Sequence, residues 1–185
     1  MLRTVAFAFG RGQVTGRHHL PDGPAIIVAN HVGWLDPLWI GTATWPRPVY
    51  FMAKRELFVP VMGTILRSAG VFPVDRDAPG PSAMKLPLAI LAGGGLLVIF
   101  PGGRRSEALG DLKRGAATIA MLAGCPLVPV HYAGPTKLQL RDLLRRPPVR
   151  VRFHAPILPP PREGRRMRDA ADTLSQAIEK AINSG

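Results

Sequence analysis

Short apolar runs bounded by Gly or Pro constrain the fold of this chain most. They lie at Ala25–Ala29, Val49–Ala53, Val71–Val74, Leu96–Phe100 and Leu127–Tyr132. Runs that are short and bounded in this way are typical of buried strands. Between them lie helical stretches, near Pro37–Thr44, Val61–Ser68, Ser82–Leu91 and Gly115–Leu122. This alternation predicts an α/β layered fold, with a mostly parallel β-sheet flanked by helices.

The chain of 185 residues is expected to form a single domain over residues 1–185. Val149–Phe153 predicts a further strand at an edge of the sheet. Residues 155–168 are rich in Pro and Arg and predict an extended surface connection. Apolar residues then recur at helical spacing, which predicts a C-terminal amphipathic helix over residues 169–183 that packs on the body.

The net charge of +12, from 24 Lys and Arg against 12 Asp and Glu, favours an anionic partner. Nucleic acid, anionic lipid and an acidic carrier protein are the candidate classes. The single cysteine, Cys125, excludes an internal disulfide and a cysteine-rich zinc site. No cluster of His, Asp and Glu has metal-ligand spacing, so no metal is expected.

The stretch from Leu86 to Gly103 carries no charge and has the length of a membrane span. However, Pro87, Pro101 and the glycines at 93–95 divide it into a helix, a turn and a buried strand. No signal-peptide pattern is present. We therefore expect a cytoplasmic protein that lies peripherally on the inner face of the membrane. The apolar residues expected to insert to shallow depth are Phe7, Phe9, Phe58 and Met62.

A histidine and an acid follow the first predicted buried strand, at His31 and Asp36, with no serine or cysteine nucleophile beside them. A histidine held by a carboxylate can take a proton from a substrate hydroxyl and return it to a leaving group. The two side chains meet only if the chain turns between them, which Gly33 permits. In the alternative interpretation Asp36 only caps a helix and His31 is structural.

Arg76 comes just after another predicted strand, where ligands of parallel α/β folds are bound. Its guanidinium is suited to binding a phosphate through paired hydrogen bonds. The alternative is a pairing with Asp75 or Asp77 on a solvated loop. Arg76 is therefore a candidate phosphate-binding residue.

Two glycines and an arginine follow the next strand, at Gly102, Gly103 and Arg105. Glycines let the backbone approach a ligand closely, and the arginine adds positive charge. A plain strand-to-helix turn is the alternative. Further along, Lys113 and Arg114 stand at a predicted helix start, where the helix dipole disfavours cations. Their placement predicts a bound anion.

Taken in order, these blocks resemble the glycerolipid acyltransferase family, whose best-known members are the lysophosphatidate acyltransferases. The family shows Asn-His-x4-Asp, Gly-x-x-Phe-x-x-Arg, Phe-Pro-Glu-Gly-Thr-Arg-Ser and a Val-Pro strand. The corresponding residues here are Asn30, His31 and Asp36; Gly70 and Arg76; Phe100, Pro101, Gly103, Arg105 and Ser106; and Val128, Pro129 and Val130. The resemblance covers about residues 15–155.

The resemblance implies that His31 deprotonates an acceptor hydroxyl while Asp36 holds its imidazole. The oxygen then attacks an acyl thioester of coenzyme A or of acyl-carrier protein, with no other cofactor. The expected acceptor is a lysophospholipid, 1-acylglycerol-3-phosphate, and the product phosphatidic acid. The substrate-binding residues implied are Asn30, Arg76, Gly102, Gly103, Arg105, Ser106, Lys113 and Arg114. Candidates for lining an acyl groove, or alternatively for the core, are Trp34, Leu57, Phe58, Val61, Met62 and Ile65.

Two departures from the family pattern bear on the acceptor. Gly102 replaces the family's glutamate and Arg104 its threonine, which leaves a neutral or other lyso-lipid alcohol as an alternative acceptor. A hydrolase would need a Gly-x-Ser-x-Gly elbow, which the sequence lacks. A nucleic-acid-binding protein is a distant alternative, which only the positive charge favours. The expected partner is an anionic membrane surface, and nucleic acid is not expected as a partner.

Overall fold

The computed structural model describes residues 11–33, 36–74, 82–101, 106–136, 145–160 and 167–183. Its strands are β1 (Arg11–Thr15), β2 (Ala25–Ala29), β3 (Val49–Lys54), β4 (Val71–Val74), β5 (Leu96–Ile99), β6 (Leu127–Ala133) and β7 (Pro148–Phe153). Its α-helices are α1 (Asp36–Ala43), α2 (Pro60–Ser68), α3 (Ser82–Ala92), α4 (Ser106–Ala123) and α5 (Met167–Asn183). Short 3-10 turns lie at Arg17–His19 and Arg55–Leu57.

The strands form one seven-stranded sheet in the order β1-β7-β6-β2-β5-β3-β4. All neighbouring pairs are parallel except β6 with β7. Strand β2 lies in the middle, with Ile27 opposite Val98 on β5 and Val128 on β6. The predicted α/β fold with a mostly parallel sheet is confirmed.

The prediction of an edge position for Val149–Phe153 is wrong. Strand β7 pairs with β6 on one side and with β1 on the other, so β1 forms that edge of the sheet. Residues alternate between exposed and buried along β7, because only one of its faces is covered. That alternation reports a solvated face and not a missing neighbour. The sequence of β1, Arg-Gly-Gln-Val-Thr, has no apolar run to announce it.

The core has two layers, one on each face of the sheet, because successive residues of a strand point to opposite faces. On β2, Ile26 and Val28 belong to the layer that also contains residues of α3, α4 and α5. Ile27 belongs to the other layer, together with Trp39 and Ile40 of α1. Helix α1 thus covers the opposite face of the sheet from the three later helices.

Helix α4 begins at Ser106 and not near Gly115, so Lys113 and Arg114 lie inside it. The predicted helix start at these two cations is therefore wrong, and their contact with an anion stays a prediction. A glycine within a helix costs about 1 kcal/mol relative to alanine, which is a weak stop signal. Gly115 is therefore tolerated inside α4, next to the buried Ala116, Ala117 and Ala120.

The uncharged stretch from Leu86 is divided as predicted, between α3, a turn and β5. Within the described part of the chain, no helix combines the length and the apolar character needed to cross a membrane.

Candidate active site

His31 and Asp36 meet at the carboxyl end of β2. His31 Nδ1 lies 2.9 Å from Asp36 Oδ2. Asp36 is the first residue of α1 and is wholly buried, whereas the side chain of His31 is 42% exposed. The hydrogen bond at Nδ1 leaves Nε2 as the ring nitrogen available to a substrate. The structure therefore brings together the base and carboxylate that the sequence predicted.

The carboxylate of Asp36 is held by the turn that precedes it. Oδ2 also accepts hydrogen bonds from the backbone N–H groups of Val32, at 2.6 Å, and Gly33, at 3.0 Å. A helix cap accepts from residues that follow it, whereas these donors come before Asp36. The other oxygen, Oδ1, is buried and has no hydrogen-bond partner among the described residues. The contacts of Asp36 are thus those of a residue that orients the loop and the imidazole.

Gly33 is required at this turn by a close approach to another loop. An added Cβ would overlap the carbonyl oxygen of Thr136 and would lie 2.7 Å from the Thr136 Cα. The backbone of Gly33 does not adopt a positive φ. Its role in bringing His31 to Asp36 is therefore to leave space and not to adopt a left-handed turn.

Asn30 extends the pairing of β2 with β6 through its side chain. Its Nδ2 donates to the Tyr132 carbonyl at 2.8 Å, and its Oδ1 accepts from the Tyr132 N–H at 2.7 Å. The residue next to His31 is thereby tied to the neighbouring strand. These bonds give Asn30 a structural role, and its contact with substrate stays a prediction.

Two aromatic residues that sequence reasoning did not assign to the site lie beside the pair. The ring centroids of His31 and Phe100 are 4.7 Å apart, with the planes tilted by 33°. Phe100 in turn stacks on Phe51, with the two ring centroids 6.2 Å apart. The position of Phe100 in the motif directly after β5 was a signal that could have placed this residue beside the imidazole.

Tyr132 is buried on β6, and its pKa is raised first by burial and then by the negative charge of Asp36. The phenol therefore stays neutral at physiological pH. No sequence signal connects Tyr132 with a carboxylate 96 residues away, because only the packing of α1 against the sheet brings them together.

Most of the remaining predicted substrate residues lie outside the part of the chain that the structure describes. Arg76, Gly102, Gly103 and Arg105 lie outside the described residues, and the side chains of Ser106 and Lys113 are also outside them. Nε of Arg114 donates to Oδ1 of Asp172 on α5, at 2.6 Å. The described part of the chain contains no group of three or more His, Cys, Asp or Glu arranged to hold a metal ion.

Most of the described candidate groove residues lie at the surface. Leu57, Val61, Met62 and Ile65 are exposed, so the alternative that placed them in the core is wrong. Phe58 is half-buried, with the guanidinium of Arg67 5.4 Å from its ring centroid. Trp34 lies outside the described residues, as do Phe7 and Phe9.

A solved structure shares this fold. The crystal structure of the 1-acyl-sn-glycerophosphate (LPA) acyltransferase PlsC from Thermotoga maritima superimposes with a TM-score of 0.67 at 22% sequence identity. The match covers 99% of this chain and 78% of that chain.

Sequence relatives agree with that likeness. The 1-acyl-sn-glycerol-3-phosphate acyltransferase of Bacillus subtilis (strain 168) is 39% identical over 137 residues, 73% of this chain and 69% of that protein. The enzyme of the same name from Streptococcus pneumoniae (strain ATCC BAA-255 / R6) is 41% identical over 138 residues, 74% of this chain and 51% of that protein. The chain thus matches only about half of the second relative. Residues 11–133 match the model of the Acyltransferase family, and the chain belongs to that family.

Proposed function

We propose that this protein transfers a fatty acyl group from an acyl thioester to the hydroxyl of 1-acylglycerol-3-phosphate, giving phosphatidic acid. The observation that carries the proposal is the 2.9 Å contact of His31 Nδ1 with buried Asp36, on an acyltransferase fold. Relatives that are 39% and 41% identical bear the name of this activity. The chemistry needs no nucleophile from the protein, because the acceptor supplies one.

His31 acts first as the base and then as the acid. Its Nε2 takes the proton of the acceptor hydroxyl while that oxygen attacks the thioester carbonyl. When the tetrahedral intermediate collapses, the carbon–sulfur bond breaks and the imidazolium returns the proton to the leaving thiolate. Asp36 holds the imidazole by Nδ1 and stabilises its positive form. The proton and the acyl group are then both accounted for.

Recognition of the acceptor phosphate is assigned to Arg76 and Arg105 in this proposal. Both follow strands whose carboxyl ends lie at the same edge of the sheet as His31, because β2, β5, β3 and β4 are parallel neighbours. Such an edge is where ligands of α/β sheets bind. Gly102 in place of the family's glutamate keeps a neutral alcohol as the second candidate acceptor.

We further propose that the protein works peripherally, at the inner face of the membrane. An excess of positive charge supports it, since each basic side chain near an anionic surface contributes about 1 kcal/mol before screening. The lipid nature of the acceptor supports it as well. Acyl-coenzyme A and acyl-carrier protein are both retained as donors.

The test is release of free thiol by the purified protein with each donor, combined with mass spectrometry of the lipid product. The acceptor panel contains 1-acylglycerol-3-phosphate, a lysophosphatidylcholine and a monoacylglycerol. We expect phosphatidic acid as the main product, and an Arg76→Ala variant with a raised KM for the phosphate-bearing acceptor and little change in KM for the donor. A monoacylglycerol as best acceptor, with kinetics that Arg76→Ala leaves unchanged, would refute the phosphate assignment. Absence of acyl transfer to every acceptor would refute the proposed activity.

A further inference from the structure

Helix α2 exposes the apolar face that a helix of a globular protein ordinarily buries. Val61 is 75% exposed, Ile65 55% and Met62 47%. None of the buried residues that form the two core layers comes from α2. Among the described residues, five of eleven exposed large apolar side chains fall within nine consecutive residues. These five, termed the apolar ridge, are Leu57, Val59, Val61, Met62 and Ile65.

The face of α2 that turns inward is formed around a glycine. With 3.6 residues per turn, Val61, Met62 and Ile65 share an arc of about 100°. Gly63 points away from this arc and is the buried residue of the helix. A Cβ on Gly63 would meet the backbone of Phe58 at 3.1 Å, so the helix lies close against the preceding turn. The direction of the apolar arc is therefore set by how α2 is seated on the protein.

The apolar ridge begins at the edge of the sheet formed by the carboxyl ends of the parallel strands, where His31 lies. Strand β3 runs parallel to β2, with only β5 between them, so Lys54 and His31 leave the sheet at the same edge. Two strand spacings separate β3 from β2, which is about 10 Å. The 3-10 turn Arg55–Leu57 and the first turn of α2 follow directly. A surface resting on this part of the ridge is thus close to the catalytic pair.

Positive charge borders the apolar ridge at this edge. Lys54 and Arg55 are exposed there, with Glu56 as the acidic residue between them and the ridge. Exposed apolar side chains bordered by cations are complementary to a bilayer with anionic headgroups, in which the apolar groups insert and the cations remain at headgroup level.

We propose that the apolar ridge is the surface by which this protein inserts into a bilayer that contains anionic lipid. This inference rests on the proposed function, in which the acceptor is a lipid that must reach His31 from a membrane. The ridge at the His31 edge would give that lipid a short path to the base.

A fluorescent label at position 62 tests the insertion directly. Met62→Cys can be labelled selectively with an environment-sensitive fluorophore, because Cys125, the only cysteine of the chain, is buried and its pKa is raised to about 11. Leu158→Cys, with Cys125 unchanged, is the matched control. Leu158 is 73% exposed and follows Ile157, which pairs with Leu127 at the start of β6, so it lies at the opposite edge of the sheet.

On vesicles of phosphatidylglycerol and phosphatidylcholine we expect a blue shift and increased emission from position 62 and no change from position 158. An unshifted label at position 62 would overturn the proposal, and so would equal shifts at both positions. A shift that requires an acidic acyl-carrier protein and is absent on vesicles would identify a protein-docking surface instead, and would also overturn it.

Vesicle co-sedimentation of unlabelled protein provides a second measurement. We expect Met62→Ser combined with Ile65→Ser to weaken partition about tenfold or more, because two apolar side chains no longer leave water. Leu158→Ser should leave partition unchanged. Equal partition of the double variant and the wild type would overturn the proposal. Since neither donor nor acceptor is present, this result is independent of whether the protein transfers acyl groups.

Discussion

Gly33, in the loop after β2, lies so close to the carbonyl of Thr136, beyond β6, that no side chain fits between them. The backbone N–H of Gly33 also donates to Asp36 Oδ2. One residue therefore sets the distance between two loops and helps to hold the carboxylate that orients His31. The geometry of the His31–Asp36 contact depends on this approach of the two loops.

Gly33→Ala should destabilise the protein by about 1–3 kcal/mol, because the added methyl group pushes the two loops apart. Acyl transfer should fall as well, since Asp36 loses the positions of its backbone donors. Gly23→Ala is the matched control, because a Cβ there meets no atom within 4 Å. Denaturant unfolding and thiol release measure the two effects. Equal unfolding midpoints for the two variants would show that the loops have room.

His31→Ala should lower the rate of acyl transfer by about 10²–10⁴-fold, the usual contribution of a general base. Folding should be retained, because the side chain is nearly half exposed. His18→Ala, which removes an exposed histidine of the same chain, is the control and should keep full activity. Thiol release near the wild-type rate from folded His31→Ala protein would refute a catalytic role for His31 and Asp36.

Asp36→Asn should reduce acyl transfer less than His31→Ala does. The amide oxygen can still accept hydrogen bonds from Val32 and Gly33, but it lacks the charge that stabilises the imidazolium. Comparison of kcat for the two variants, with unfolding curves for both, checks the order. Wild-type activity in Asp36→Asn would show that the carboxylate serves only the turn.

Asn30→Ala should cost about 1–3 kcal/mol of folding stability, because the Tyr132 N–H and carbonyl lose their partners. Gln13→Ala, on the exposed face of the edge strand β1, is the control and should be close to neutral. Thermal or urea unfolding of both variants and the wild type measures the loss of folding stability. A fully stable Asn30→Ala protein with a raised KM for acceptor would contradict the structural role and favour substrate contact.

Cys125 should make the protein less stable at alkaline pH. Burial raises the pKa of its thiol from 9.0 to about 11. Between these values the unfolded chain has lost the proton and the folded chain has kept it, so stability falls as pH rises. Cys125→Ala should reduce the slope of the unfolding free energy against pH by up to about 1.4 kcal/mol per pH unit in this window. Urea unfolding of both proteins between pH 8 and pH 11 measures these slopes. Identical slopes for the wild type and Cys125→Ala would contradict the raised pKa of the thiol.

The sequence by itself determined the class of fold and predicted the contact of His31 with Asp36. Strands such as β2 and β5 are buried on both faces, so their apolar runs are continuous and stand out without knowledge of their neighbours. His31 and Asp36 are five residues apart, and a local turn suffices to join them. Each of these features depends on residues that are close together along the chain.

Tertiary structure decided what depends on distant residues. The edge position of β1, the place of Tyr132 beside Asp36 and the tie between Asn30 and Tyr132 arise from pairing and packing across the sheet. The outward apolar face of α2 was likewise decided by the seating of Gly63. The free energy of forming the whole sheet and its two core layers selects these arrangements. A local sequence pattern does not show which distant residues a segment will pair or pack with, so it cannot predict them.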